Sequence, residues 1–324
     1  MHSARSAFTL VELLIVIAIL ALISTLAIQK LGGIQESSKE KVNHSNVVRI
    51  GAALETYAAA NGNAASFDRL DALVLDGTAS GTGGDTSAIG SPAGLLSYDS
   101  ATNIGLSSNL TAGVSMPYMS FPALLGVYYP SEADVRALRD DLGLATVMRG
   151  ADPDKDYHRL AGSDGSWAGQ VDRNNPNACS TVAHSLSNGV ALAAVNPAAV
   201  RPWADTIEPF GAAIYKAMGE DVLYGADASL RIGGTAYRTA RDAADALLAT
   251  GGQGLLLAFG LGDSASLLGK TTGGLDSAPL SPTVNANEYG RYLVLVRLRR
   301  TAQGSKAEFA GVLDPYGRTA SMLR

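Results

Sequence analysis

From Phe8 to Ile28 the chain reads FTLVELLIVIAILALISTLAI, 21 residues that carry a single charge, Glu12. At about 1.5 Å per residue, an apolar helix of about 20 residues spans the roughly 30 Å hydrocarbon layer of a bilayer. A short polar leader, Met1 to Ala7, precedes the run and contains Arg5, and Lys30 follows it. A secretory signal peptide has an apolar region of about 7–15 residues, shorter than this one and without an acid inside it. A plain signal anchor accounts for the length but not for Glu12, because a carboxylate at the centre of a membrane helix costs about 2.5–3.5 kcal/mol. A third reading supplies the missing partner. If the chain is cut between Ala7 and Phe8, the new amino group of Phe8 lies one helical turn from the acid. In two staggered identical helices, the Glu12 of one can then neutralise the terminal amine of the next. The acid becomes a register device for stacking copies.

The short leader, the sequence Phe8-Thr9-Leu10-Val11-Glu12 and the long aliphatic run resemble the signal of type IV prepilins and type II secretion pseudopilins. The resemblance implies cleavage by a prepilin peptidase between Ala7 and Phe8, N-methylation of Phe8, and an assembly role for Glu12. Two positions depart from the family pattern: Ala7 stands where Gly is usual, and no kinking Pro lies near Gln29. The Gly32-Gly33 pair is the candidate weak point instead, since each Gly lowers helix stability by about 1 kcal/mol.

Beyond Gly33 the chain turns amphipathic. Val47, Ile50, Leu54, Tyr57 and Ala58 recur at three- and four-residue steps and predict one apolar stripe. Asn61-Gly62 is a helix stop. The stretch from Leu54 and Tyr57 to Asn61-Gly62 resembles the end of the first helix of major pseudopilins. That resemblance covers about the first 75 residues.

Residues 76–115 hold 21 Gly, Ser or Thr among 40 positions and read as an extended surface loop or irregular strands. Ser131 with Asp134 predicts a capped helix ending near Gly143, and 203–219 and 235–250 read as two more helices. The runs 189–195 and 254–260 fit either a strand or a buried helix. From Tyr289 onward the chain turns β-rich, with Asp314-Pro315-Tyr316-Gly317 as a turn and Thr319–Leu323 as a candidate last strand. This segment carries 7 basic and 2 acidic residues, against 18 and 28 in the rest. Such segregation suits stacking of subunits, and equally a solvated sheet face.

The expected fold is therefore α+β and pilin-like. It has a leader (1–7), a long N-terminal helix (8–62, with 8–28 in the membrane) and an enlarged globular region of mixed helix and loop (63–288). A C-terminal antiparallel β-meander (289–324) completes it. Arg5 places the short leader in the cytoplasm and the bulk of the chain outside the inner membrane. The partners implied are further copies of the chain, other pilin-like subunits, the prepilin peptidase, the inner-membrane assembly platform, and lipid before assembly. Nucleic acid is not among them, given 25 basic and 30 acidic residues overall.

Chemistry in the middle of the chain is sparse. Asp152, Asp154 and Asp156 alternate like the start of a calcium loop, but the sixth and twelfth positions are Tyr157 and Ser163 rather than Gly and Glu. Gly269-Lys270-Thr271 ends like a phosphate-binding loop, whose first Gly is replaced by Ser264. His158 and His184 lie near Ser and Asp without a nucleophile elbow, and Cys179 is a lone thiol. Trp167 and Trp203 read as core. The expectation is a non-enzymatic protein that needs no cofactor beyond a candidate calcium. It is either a repeating filament subunit or a tip subunit that binds through its large insert.

Overall fold

The computed structural model describes residues 10–62, 65–73, 125–128, 130–150, 160–161, 166–167, 181–187, 192–199, 210–224, 230–237, 240–270, 275–283 and 290–323. The described residues begin with helix α1 (Leu10–Asn61), then strands β1 (Leu70–Ala72) and β2 (Leu125–Tyr128), helix α2 (Glu132–Leu142) and strand β3 (Thr146–Gly150). Strands β4 (Leu160–Ala161), β5 (Ser166–Trp167), β6 (Thr181–Ser185) and β7 (Leu192–Val195) follow, then α3 (Phe210–Ala217). After β8 (Val222–Tyr224), β9 (Leu230–Ile232) and β10 (Thr235–Tyr237) come α4 (Ala240–Leu248), β11 (Leu255–Gly260), β12 (Leu293–Thr301) and β13 (Gly304–Leu313). A 3-10 turn, Ala320–Leu323, ends the described chain.

Helix α1 runs 52 residues, about 78 Å at 1.5 Å per residue. It passes without a break through Gly32-Gly33, so the proposed weak point leaves no mark on the backbone. It stops at the expected place: Gly62 takes a left-handed φ of 50°, a conformation open to a residue without a Cβ. The expected stripe is also present. Val47, Ile50, Leu54 and Tyr57 are buried against the sheet, with Ala58 half-buried beside them.

Eight strands of the described residues form one mixed sheet. Along one path the order is β13-β12-β11-β1-β3-β6, and β7 also joins β11 and carries β2. The sheet forks because two partners share one edge of β11. Asp71 and Ala72 of β1 pair with Gly260 and Phe259, while Ala194 and Ala193 of β7 pair with Leu257 and Ala258. Among the described strands, only β1 and β3 run parallel. Alternation along β11 and β12 separates two apolar layers. Leu255, Leu257, Phe259, Val294, Val296 and Leu298 face α1 and α2. Leu256, Ala258, Leu293 and Leu295 face α3, one side of α4 and the small sheet β10-β9-β8. Strands covered on both faces read as continuous apolar runs, which is why 254–260 looked ambiguous in sequence.

Several expectations change here. The region 63–288, read as mixed helix and loop, contributes six strands to the sheet, so the C-terminal hairpin β12-β13 is one end of a larger surface. Residues 235–237, read as helix, form β10 and pair with β9 across Gly233-Gly234, whose φ angles of 54° and 83° build a tight hairpin turn. Residues 319–323, read as a last strand, close as a 3-10 turn against α1. The helix expected over 203–219 is described only from Phe210 to Ala217. The segment 76–115, expected as loop or irregular strands, lies outside the described residues.

Candidate assembly site: the long helix and its anchor

The N-terminal part of α1 displays what the globular part hides. Leu14, Ile15, Val16 and Ile17 are 62 %, 52 %, 45 % and 58 % exposed. Four consecutive residues at about 100° steps surround the helix, so this segment is apolar on every side and touches none of the chain's own core. A helix of that kind is stable inside lipid or inside a bundle of other helices. The backbone of Glu12 lies in α1 just before this segment; its side chain, together with Ala7 and Phe8, lies outside the described residues. The membrane span expected over 8–28 falls largely on side chains that are likewise outside them. Among the described residues, no helix is long and apolar enough to cross a membrane.

Gln35–Lys39 are exposed, and among the described side chains of α1 the first buried one is Asn43. Around it sits a polar anchor that sequence reasoning did not find. Asn43 Nδ2 donates to Asp314 Oδ2 at 2.8 Å, and Asn43 Oδ1 accepts from Tyr292 Oη at 2.9 Å and Ser281 Oγ at 3.0 Å. Asn46 Nδ2 donates to the same tyrosine oxygen at 3.0 Å. Asp314 also accepts from the backbone N and Nε of Arg318, both at 2.7 Å, and Arg318 Nη1 reaches Glu40 at 3.0 Å. Burial raises the Asp314 carboxyl above its ordinary range, against the opposing pull of the Arg318 charge and hydrogen bonds. The turn Asp314–Gly317 was visible in sequence, and Gly317 takes φ 75° there. Its docking on Asn43 was not, although a polar residue four positions before Val47, in line with the apolar stripe, was a usable sign.

The other candidates are not gathered into a site. Asp152, Asp154, Asp156, His158, Cys179 and Trp203 lie outside the described residues, and His184 and Trp167 are described only as backbone in β6 and β5. Among the described residues, no group of three or more His, Cys, Asp or Glu is placed to hold a metal. Gly269 and Lys270 sit in turns after β11, with the Gly269 N–H donating to Leu275 O at 2.9 Å, and Thr271 lies outside the described residues. Most basic residues of the C-terminal segment are paired within the chain. Arg291 pairs with Asp263, Arg297 and Arg299 with Glu220 and Glu308, Arg300 with Asp134, and Arg318 with Asp314 and Glu40. Five of the seven basic residues therefore have acidic partners within the chain.

No curated protein and no solved structure matches the chain. One family model does: the prokaryotic N-terminal methylation motif, over residues 2–28. It covers the leader, Phe8 and Glu12, and runs into the helical segment whose apolar side chains stand exposed. The chain thus carries at its N-terminus the prokaryotic N-terminal methylation motif, the signature of the prepilin-type signal of type IV pilins and pseudopilins.

Proposed function

We propose that the protein is a structural subunit of a type IV pilus-like or type II secretion pseudopilus filament. A prepilin peptidase removes Met1–Ala7 and the new Phe8 amine is methylated. The subunit rests in the inner membrane with its globular part on the periplasmic side, until the assembly platform draws it into a stack of copies and other pilin-like subunits. The observation that carries this reading is the apolar circumference at Leu14–Ile17, continuous with a matched methylation motif. Such a surface has no use in a chain that stays alone in water, and packing against copies removes it from solvent. At roughly 25 cal/mol per Å² of apolar area, that burial outweighs any single ion pair. The pairing of Glu12 with the Phe8 amine of a neighbour then sets register rather than strength. No reaction and no metal is part of this reading.

The size of the globular part favours a second reading. Six strands of the sheet and helices α2, α3 and α4 come from a region between the long helix and the C-terminal hairpin. That bulk suits a minor or tip subunit that binds through its insert. Counting subunits in isolated filaments separates the two, since a major subunit outnumbers its pilin-like partners.

N-terminal sequencing of the protein from its native membrane is the decisive test. N-methylated Phe8 as first residue supports the proposal; a chain that still starts at Met1, or starts beyond Glu12, overturns it. Glu12→Ala should leave processing intact and abolish or disorder filaments.

A further inference from the structure

The anchor at residues 40–46 has a property that an apolar contact lacks. Asn43 occupies the first buried position of the stripe that Val47, Ile50, Leu54 and Tyr57 continue. A leucine there would bury more apolar surface, and the helix could slide along the sheet by one turn, about 5.4 Å, with little loss. Asn43 forbids the slide. Its amide is fully buried and bonded at both ends, to Asp314 on one side and to Tyr292 and Ser281 on the other. Any shift strands the amide, leaving a buried polar group unpaired. Polar residues at apolar packing positions fix register at the expense of stability elsewhere.

The partner that meets Asn43 belongs to the far end of the chain. Asp314 is 271 residues away, and the turn that holds it is braced three times: by Arg318 to Asp314, by Arg318 to Glu40, and by Tyr316 Oη donating to Thr283 O at 3.0 Å. Behind the turn, Ala320 and Leu323 pack against the same core as the helix stripe.

We propose that the C-terminal segment Asp314–Leu323 is a latch that sets the axial register of α1 on the globular part. With the latch closed, the N-terminal half of the helix is held at one fixed height and angle. With it open, residues 40–46 disengage while the sheet stays folded. Because Asp314 lies 271 residues from Asn43, only a molecule in which the hairpin β12-β13 and the turn after it have folded presents the helix in register. The device is independent of what the helix finally packs against.

Hydrogen exchange and spin-label distances on the full-length protein in detergent micelles test this. In Arg318→Gln and Asn43→Leu, amide exchange over residues 40–47 should accelerate about tenfold or more while Leu255–Gly260 keeps its protection. Glu40→Gln, a mild surface change that leaves folding intact, should give a smaller acceleration in the same segment. With Cys179→Ser and labels at Glu36→Cys and Lys306→Cys, the parent should give one distance. Asn43→Leu should give a broadened or two-peaked distribution, even if its thermal stability is unchanged or higher. A single unchanged distance in Asn43→Leu and Arg318→Gln overturns the proposal. So does exchange that accelerates equally in helix and sheet, because that is the signature of an ordinary stabilising contact.

Discussion

Asp134 illustrates what one carboxylate can hold together. Its side chain is fully buried and accepts from Tyr128 Oη at 2.6 Å, Ser131 N at 3.0 Å, Ser131 Oγ at 2.6 Å and Ser305 Oγ at 2.6 Å, while Arg300 Nη2 lies at 2.8 Å. Burial alone favours the neutral acid. The bonds from Arg300, Ser131, Ser305 and Tyr128 together outweigh it and hold the carboxyl well below the usual carboxylate range. Burial also pushes the Tyr128 phenol far up, with the Asp134 charge adding to it. An acid lowered by folding adds stability above its unfolded value of about 3.9, and that stability is lost as the pH falls below it. Asp134→Asn should therefore cost about 3–5 kcal/mol at neutral pH and shrink the loss of stability on acidification. Urea unfolding of both proteins at pH 7 and pH 3 measures this, and parallel pH dependences would refute it. Gly211 makes the complementary point about space. It opens α3 with its N–H donating to Ala199 O at 3.0 Å, and a Cβ there would run into the carbonyl of Asn196. Helix propensity favours alanine at this position, yet Gly211→Ala should lower stability by about 1–3 kcal/mol in the same unfolding assay, because close approach overrides propensity.

At the scale of elements, ends and faces follow different logic. Helix α2 is closed at both ends by neighbours in sequence: Ser131 and Asp134 form a capping box and Gly143 takes φ 64°. Those bonds span a few residues, so the sequence displayed them. Strand β10 was missed because the run from 235 to 250 is amphipathic as a whole; the Gly233-Gly234 turn just before it was the stronger signal. In the proposed function the two halves of α1 serve different solvents. Leu14→Lys combined with Ile17→Lys should release the full-length protein from membranes, since each charge near the centre of the apolar run costs about 2.5–3.5 kcal/mol. Carbonate extraction of the membrane fraction reads this out; retention of the double variant would show that the helix is not what holds the protein there. The core of the globular part should be unaffected, because the described side chains at 14–18 face away from it.

At the scale of the whole molecule, the globular part should be energetically separable from the N-terminal part of α1. Among the described side chains of α1 the first buried one is Asn43, and residues 35–39 are exposed. A chain starting at Gln35 should therefore unfold cooperatively, with a midpoint within about 4 °C of the full-length protein, as followed by circular dichroism. A larger fall would mean that the globular part leans on the removed segment.

The amino-acid order by itself determined the features whose physics is local. The apolar run and its lone acid, the methylation motif, the stripe of α1, its stop at Asn61-Gly62 and the caps of α2 all depend on hydropathy, or on bonds between residues within about a turn of one another. The forked sheet, the pairing of the basic C-terminal residues and the seat of the long helix were decided only in three dimensions. Asp134 finds Arg300 across 166 residues, Asn43 finds Asp314 across 271, and Glu40 finds Arg318 across 278. Charges and amides become strong partners only once burial removes water from around them, and burial belongs to the assembled core rather than to any stretch of chain.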